Sequence, residues 1–342
     1  MHLPRWNLKS IYENCQDTQI DKDLKILLEK IAKFETEYKG KLASKLAAAL
    51  DEYNQIDELQ NKITTFFFLQ IQCDAQNQEL KKQYSKTIED YTQAASALAF
   101  FNIELGNLAE ADYKQQLSAS KFLQKHQTLL DNIRELARYN LSEEVEKALT
   151  KRSMFSSSEW DDVLDELDSL LEFSFEGETL NLSEILNIMN DDKSDVRRTQ
   201  AMQVLNKTLE LSKYNLLRAK ALNVVMGEKM VEDKERGFEY PMQARNLHNK
   251  VSQKSVESLH KAVALNGSKW TKAYYGLLGK ILGKDKLSWA DRNAKLPFEE
   301  ENHFEFNEAM QMVKKACQVF SPTMYKKICI NNRTFFKTPV FD

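Results

Sequence analysis

Glycine and proline are scarce in this sequence. In 342 residues there are 9 glycines and 5 prolines, too few breakers for a chain built of many short strands and tight turns. Cysteine is scarce as well. Cys15, Cys73, Cys317 and Cys329 lie far apart and form no Cys-x-x-Cys pair, which excludes a dense disulfide scaffold and fits reduced thiols in a cytoplasmic protein. No charge of one sign dominates: the net charge is −3. Lysine and arginine are interleaved with aspartate and glutamate, so there is no basic footprint for nucleic acid. The most apolar stretches, near 63–71 and 94–105, are too short or too broken by polar residues to span a bilayer. The start, "MHLPRWNLKSIYENC", lacks a basic region followed by an apolar run, so no signal peptide is expected. Apolar residues at 42% and charged residues at 29% nevertheless describe a globular chain. Its length suits two domains or one large helical body.

What is present is helical periodicity. Leu24, Leu27, Leu28, Ile31, Phe34 and Tyr38 recur at helical spacing, with Gly40 as the stop. Leu46, Leu50, Tyr53, Ile56, Leu59, Ile63 and Phe66 continue the pattern through 42–76, which makes "TTFFFLQI" helix rather than strand. A third helix is expected over 77–105, closing at Gly106, and a weaker pattern runs to Tyr139. Together these predict an antiparallel bundle-like lobe. Ser142, followed by Glu143 and Glu144, begins a new helix where the helix dipole favours anions. Ser156 with Glu159, and Asn181 with Glu184, have capping-box spacing. Between them "FSFEGETLNL" alternates Phe173/Phe175 and Leu180/Leu182 around Gly177, the one convincing hairpin signal. Residues 195–232 read as one helix of roughly 57 Å. "RGFEYPMQA" is a loop, helix resumes near Ser255 and breaks at Gly283, a loop surrounds Pro297, and Phe306 to Val319 is the last helix. The tail "FSPTMYKKICINNRTFFKTPVFD" carries Tyr325, Phe335, Phe336 and Phe341 without a sustained period. No fixed-period repeat supports a solenoid. The expected class is all-α, with one short hairpin near 173–182.

Complete catalytic patterns are missing. The five histidines are His2, His126, His248, His260 and His303. None belongs to a His-Glu-x-x-His sequence, which places two imidazoles on one helical face to bind zinc. Glu257 with His260, and Glu300 with His303, have the Glu-x-x-His spacing of di-iron bundles. The second pair lies in a loop past Pro297, which spoils that geometry, and surface residues are the plainer reading. His248 and His260 fall on different faces of any continuous helix. "YYGLLGKILG" has helix-packing glycines, but without a long apolar span it reads as close soluble packing. No phosphate-binding glycine loop, nucleophile elbow or Cys/His nucleophile pattern occurs.

Several ordered segments resemble the oligoendopeptidase F family of cytosolic zinc metallopeptidases. They are "WNLKSIY" (Trp6–Tyr12), "FFNIEL" (Phe100–Leu105), "LSEEVEKALTKRSMFSSSEWDDVLDEL", "DVRRTQAMQVL", "ALNVVMGEKMVEDKERGFEYP", "VESLHKAV", "KAYYGLLGKILGKDKLSWADRNAKLP" (Lys272–Pro297) and "FSP" (Phe320–Pro322). The sequence departs from the family where basic residues would stand at Gly276 and Leu278, and a proline at Lys295. The resemblance implies a helical lobe over 1–140, the start of a peptidase domain over 141–324 and a divergent tail over 325–342. It also implies hydrolysis of internal bonds in short peptides by zinc, which polarises the carbonyl and activates a water with a glutamate base. In the family those groups follow a Gly-Ala-Phe segment, and "TPVFD" resembles the connector just before it. They would all lie beyond Asp342, so the tail resembles a truncation after a frame disturbance. No catalytic, cofactor-binding or metal residue is therefore assigned here, no bound zinc is expected, and oligomeric state is left open. The alternative of another class is a non-catalytic helical scaffold that binds peptides or a partner.

Overall fold

The computed structural model describes residues 5–74, 77–296, 298 and 304–337. It divides into two compact units. One contains residues 1–152 and 302–342, the other Ser153–Glu301.

The first unit is helical. Helix α1 (Thr18–Tyr38) starts at Asp17, whose carboxylate accepts the Gln19 amide at 2.9 Å. It buries Ile20, Leu27, Ile31, Phe34 and Tyr38, one stripe at helical spacing. Gly40, at φ 74°, turns the chain into α2 (Leu42–Cys73). Helices α3 (Gln78–Ala95), α4 (Ala99–Asn107), α5 (Glu110–Ala119), α6 (Lys121–Lys125), α7 (Gln127–Leu136) and α8 (Glu143–Arg152) follow. The core is aromatic. Phe34 packs on Phe100 and Phe101 at ring-centroid distances of 5.5 and 5.8 Å, and Tyr53 stacks on Phe101 at 4.7 Å. A buried polar knot accompanies it. Asp23 accepts hydrogen bonds from Tyr12 (2.8 Å), Gln19 (2.7 Å) and Lys62 (2.6 Å), so the buried carboxylate is fully partnered.

Three expectations change in this unit. The run over 77–105 is not one helix, because a 3-10 turn at Ser96–Leu98 separates α3 from α4. Gly106 does not stop α4, which continues to Asn107. A Cβ at Gly106 would lie 2.0 Å from the Cβ of Ala137, so glycine is needed for close approach. The tail is also more regular than its sequence suggests. After α15 (Phe306–Phe320) the chain enters a further helix, α16 (Pro322–Phe335), with proline at its first position, where its missing N–H costs nothing. A two-residue strand β4 (Phe336–Lys337) follows and pairs antiparallel with β1 (Arg5–Trp6). Phe341 lies outside the described residues.

The second unit begins with α9 (Ser157–Ser169) and the hairpin of β2 (Phe173–Phe175) and β3 (Glu178–Leu180). The two-residue loop Glu176–Gly177 has positive φ at both positions, as the twist of a tight hairpin demands. Phe173 and Phe175 point inward and meet Ile185 and Ala201 in the unit's core. The Asn181–Glu184 capping box forms and starts α10 (Leu182–Asp191). The Ser156–Glu159 box does not. The Ser156 hydroxyl instead donates to the Ser153 carbonyl at 2.6 Å.

The long helix expected over 195–232 is two: α11 (Asp195–Glu210) and α12 (Asn215–Glu235). No glycine or proline marks the break. Asn215 donates to the carbonyls of Leu209 and Glu210 at 2.8 and 3.2 Å, satisfying the end of α11 with a side chain. After the short α13 (Gln243–His248), α14 (Gln253–Leu282) runs through Gly276 and ends at Gly283, φ 66°. The Lys284 amide returns to the Gly279 carbonyl at 2.8 Å, a left-handed glycine cap.

Candidate functional site

The segment after α14 is held by buried charge. Arg198, on the first turns of α11, is only 2% exposed, and four of its five N–H donors are hydrogen-bonded. It donates to the carbonyls of Ala290 (3.1 Å), Asp192 (2.8 Å) and Lys193 (3.1 Å), and to the Asp291 carboxylate (2.8 Å). Asp291 also accepts from Lys284 (2.7 Å) and from the amide and hydroxyl of Ser288 (2.9 Å each). Lys284 reaches Asp195 at 3.0 Å. Burial pushes the Asp291 carboxyl up, but the hydrogen bonds from Lys284, Ser288 and Arg198 together outweigh it and hold it well below the usual carboxylate range. Burial likewise pulls Lys284 down, and its bonds to Asp291 and Asp195 more than restore it. The cluster fixes residues 284–291 against α11. All its charges are spent on protein partners, so it is a clamp and offers no free group for catalysis.

Helix α14, which precedes the clamp segment, has an apolar face that is exposed among the described residues. Leu259, Val263, Trp270, Tyr274 and Leu277 of α14 are all exposed, and Ile281 is half-buried. Their spacing places them on one side of a helix roughly 45 Å long. Trp289, 65% exposed, carries the Arg292 guanidinium 4.5 Å from its ring centroid.

The histidines do not converge. His126 bonds the Phe122 carbonyl at 2.9 Å, and His248 is exposed at the end of α13. Glu257 and His260 are exposed one turn apart on α14, and the Glu257 carboxylate accepts from Gln253 at 2.9 Å. His2, Pro297, Glu300 and His303 lie outside the described residues. Among the described residues, no group of three or more histidine, cysteine, aspartate or glutamate side chains is placed to hold a metal ion. Zinc therefore has no fitting donor set there, since it needs three protein ligands with a water or four without. Among the same residues no helix is long and apolar enough to cross a membrane. The Arg198–Asp291 pair was missed in the sequence. Its only trace was that both residues sit in family-like segments, "DVRR" and "WADR".

No curated protein matches the chain. The oligopeptidase F family model matches residues 104–173, from α4 to the first residue of β2. Among solved structures, oligoendopeptidase-F from Enterococcus faecium superposes with a TM-score of 0.70 at 17% identity, over 87% of this chain and 62% of that one. The fold is that of oligoendopeptidase F over the shared length. A protein assigned as an oligoendopeptidase F, from Bacillus anthracis, gives a TM-score of 0.64 at 15% identity, over 92% of this chain and 54% of that one. A protein assigned as a peptidase, from Chlamydophila abortus, gives 0.62 at 19%, over 94% and 55%. The chain thus spans between 54% and 62% of the length of these oligoendopeptidase F-like structures.

Proposed function

We propose that these 342 residues form the helical wall of an oligoendopeptidase F-like zinc peptidase that handles short peptides in the cytoplasm. In this reading residues 1–140 are its N-terminal lobe, 141–324 the start of its peptidase domain and 325–342 a divergent tail. The observation that carries it is the coincidence of a family match at 104–173 with the oligoendopeptidase F fold across most of the chain. The clamp supports it, because Arg198 and Asp291 join two of the family-like segments through a buried ion pair.

Zinc and its activated water would come from polypeptide other than these residues, whose sequence holds no His-Glu-x-x-His. The exposed stripe of α14 and Trp289 would be covered by that polypeptide. The isolated chain is therefore proposed to be inactive. A quenched fluorescent peptide incubated with it, zinc added, is expected to show no metal-dependent cleavage. The same chain extended with a family-like catalytic half is expected to cleave it. Chelator-sensitive turnover by the 342 residues alone would overturn this assignment.

A further inference from the structure

A groove of about 420 Å³ lies between β2 and α11, within the size range of small-ligand sites. Its floor is apolar, made by Phe175 and Val204. One bank is strand β2 at Ser174 and the adjoining Glu176, whose carboxylate is already taken by the Arg197 guanidinium at 3.0 and 2.9 Å. The other is a single face of α11 bearing Gln200, Gln203 and Lys207, all exposed.

The strand bank has unused backbone. Phe175 pairs with Glu178 and Phe173 with Leu180 across the two-residue loop. In an antiparallel hairpin these alternate pairs exchange the hydrogen bonds, so the residue between them aims its N–H and C=O outward. Ser174, which lines the groove, therefore keeps one donor and one acceptor outside the hairpin ladder. An extended chain laid there would add a strand, with backbone bonds for affinity and the floor for one apolar side chain. The helix bank has unused charge. Lys207 forms no ion pair among the described residues. From Gln200 to Lys207 the helix rises roughly 10 Å, the length of about three extended residues.

We propose that this groove takes the carboxyl-terminal end of a short extended peptide, its backbone pairing with Ser174 and its terminal carboxylate meeting Lys207. The choice of a peptide as ligand rests on the peptidase reading above. The site would hold a peptide by its end.

The test is direct binding to the 342-residue chain, with no turnover required. The probe is fluorescein-labelled Ala-Ala-Leu-Phe, with a free carboxylate or as the amide, followed by fluorescence anisotropy. The free acid is expected to bind roughly threefold more tightly than the amide, the scale of one exposed ion pair. Lys207→Glu should remove that preference. Ser174→Pro, which deletes the outward donor at an edge where proline is tolerated, should weaken both peptides. Circular dichroism of each variant confirms that it is folded. Absence of saturable binding, or an acid preference that survives Lys207→Glu, would overturn the proposal. Failure of the peptidase reading would appear separately, as missing turnover by the extended chain with end-binding intact.

Discussion

Removing one carboxylate tests the clamp. Asp291→Ala deletes the acceptor for Arg198, Lys284 and both donors of Ser288, four hydrogen bonds in all. Arg198 stays buried, its carbonyl partners intact but its counter-charge gone. Lys284 is only partly buried and keeps Asp195, so it adds little. Breaking a buried pair from one side costs about 3–5 kcal/mol, because a desolvated charge is left uncompensated. Replacing both ends by apolar residues, Arg198→Met with Asp291→Leu, should cost clearly less than the single change. The assay is urea unfolding of the second unit together with hydrogen exchange. Exchange should rise first in residues 284–291 and at the start of α11, the two segments that the cluster ties together. A loss under about 1 kcal/mol, with exchange across 284–291 unchanged, would show that the clamp does not hold this segment.

The remaining predictions are smaller. Asp291 is held low in the folded state, so its contribution should be full above about pH 4, the unfolded carboxyl value, and vanish as the pH falls through the lower folded value. Exchange at 284–291 against pH measures this, and protection unchanged down to about pH 2 would contradict it. Gly106→Ala should destabilise the first unit by about 1–3 kcal/mol, despite alanine's better helix propensity, because its methyl would strike Ala137. Ala137→Gly in the same chain should restore most of the loss, and a thermal melt that rises on Gly106→Ala alone would refute the packing argument.

The helices were legible because few residues interrupt their period, and the hairpin because two phenylalanines alternate ahead of a glycine turn. The break between α11 and α12 was hidden. Its carbonyls are satisfied by the Asn215 side chain, and asparagine within a helical pattern gives no warning. Helix α16 was hidden because its apolar residues are few and interrupted by the polar runs Lys326–Lys327 and Asn331–Thr334. Gly106 looked like punctuation but serves a contact thirty-one positions away. The clamp was the least legible feature. Arg198 and Asp291 are 93 residues apart, and nothing local distinguishes a buried arginine from a surface one. The same limit applies to the candidate site. Histidine spacing could show what the sequence does not contain, whereas the groove beside Ser174 depends on which edge of β2 faces α11.

Helix α8 ends the first of the two segments that make up the first unit, and it is fastened by charge rather than by a buried side chain. Lys147 bonds Glu35 at 2.6 Å and Glu143 at 2.8 Å, while Lys39 pairs with Glu143 and lies 3.4 Å from Glu35. Four alternating charges therefore seat α8 against the end of α1. The aromatic core below owes nothing to them, so ionic strength acts on the two parts unequally. The pairs are in direct contact but part-exposed, so added salt weakens them. Salt thus becomes a selective solvent for this one joint, loosening the chain's exit from the unit while the core stays packed.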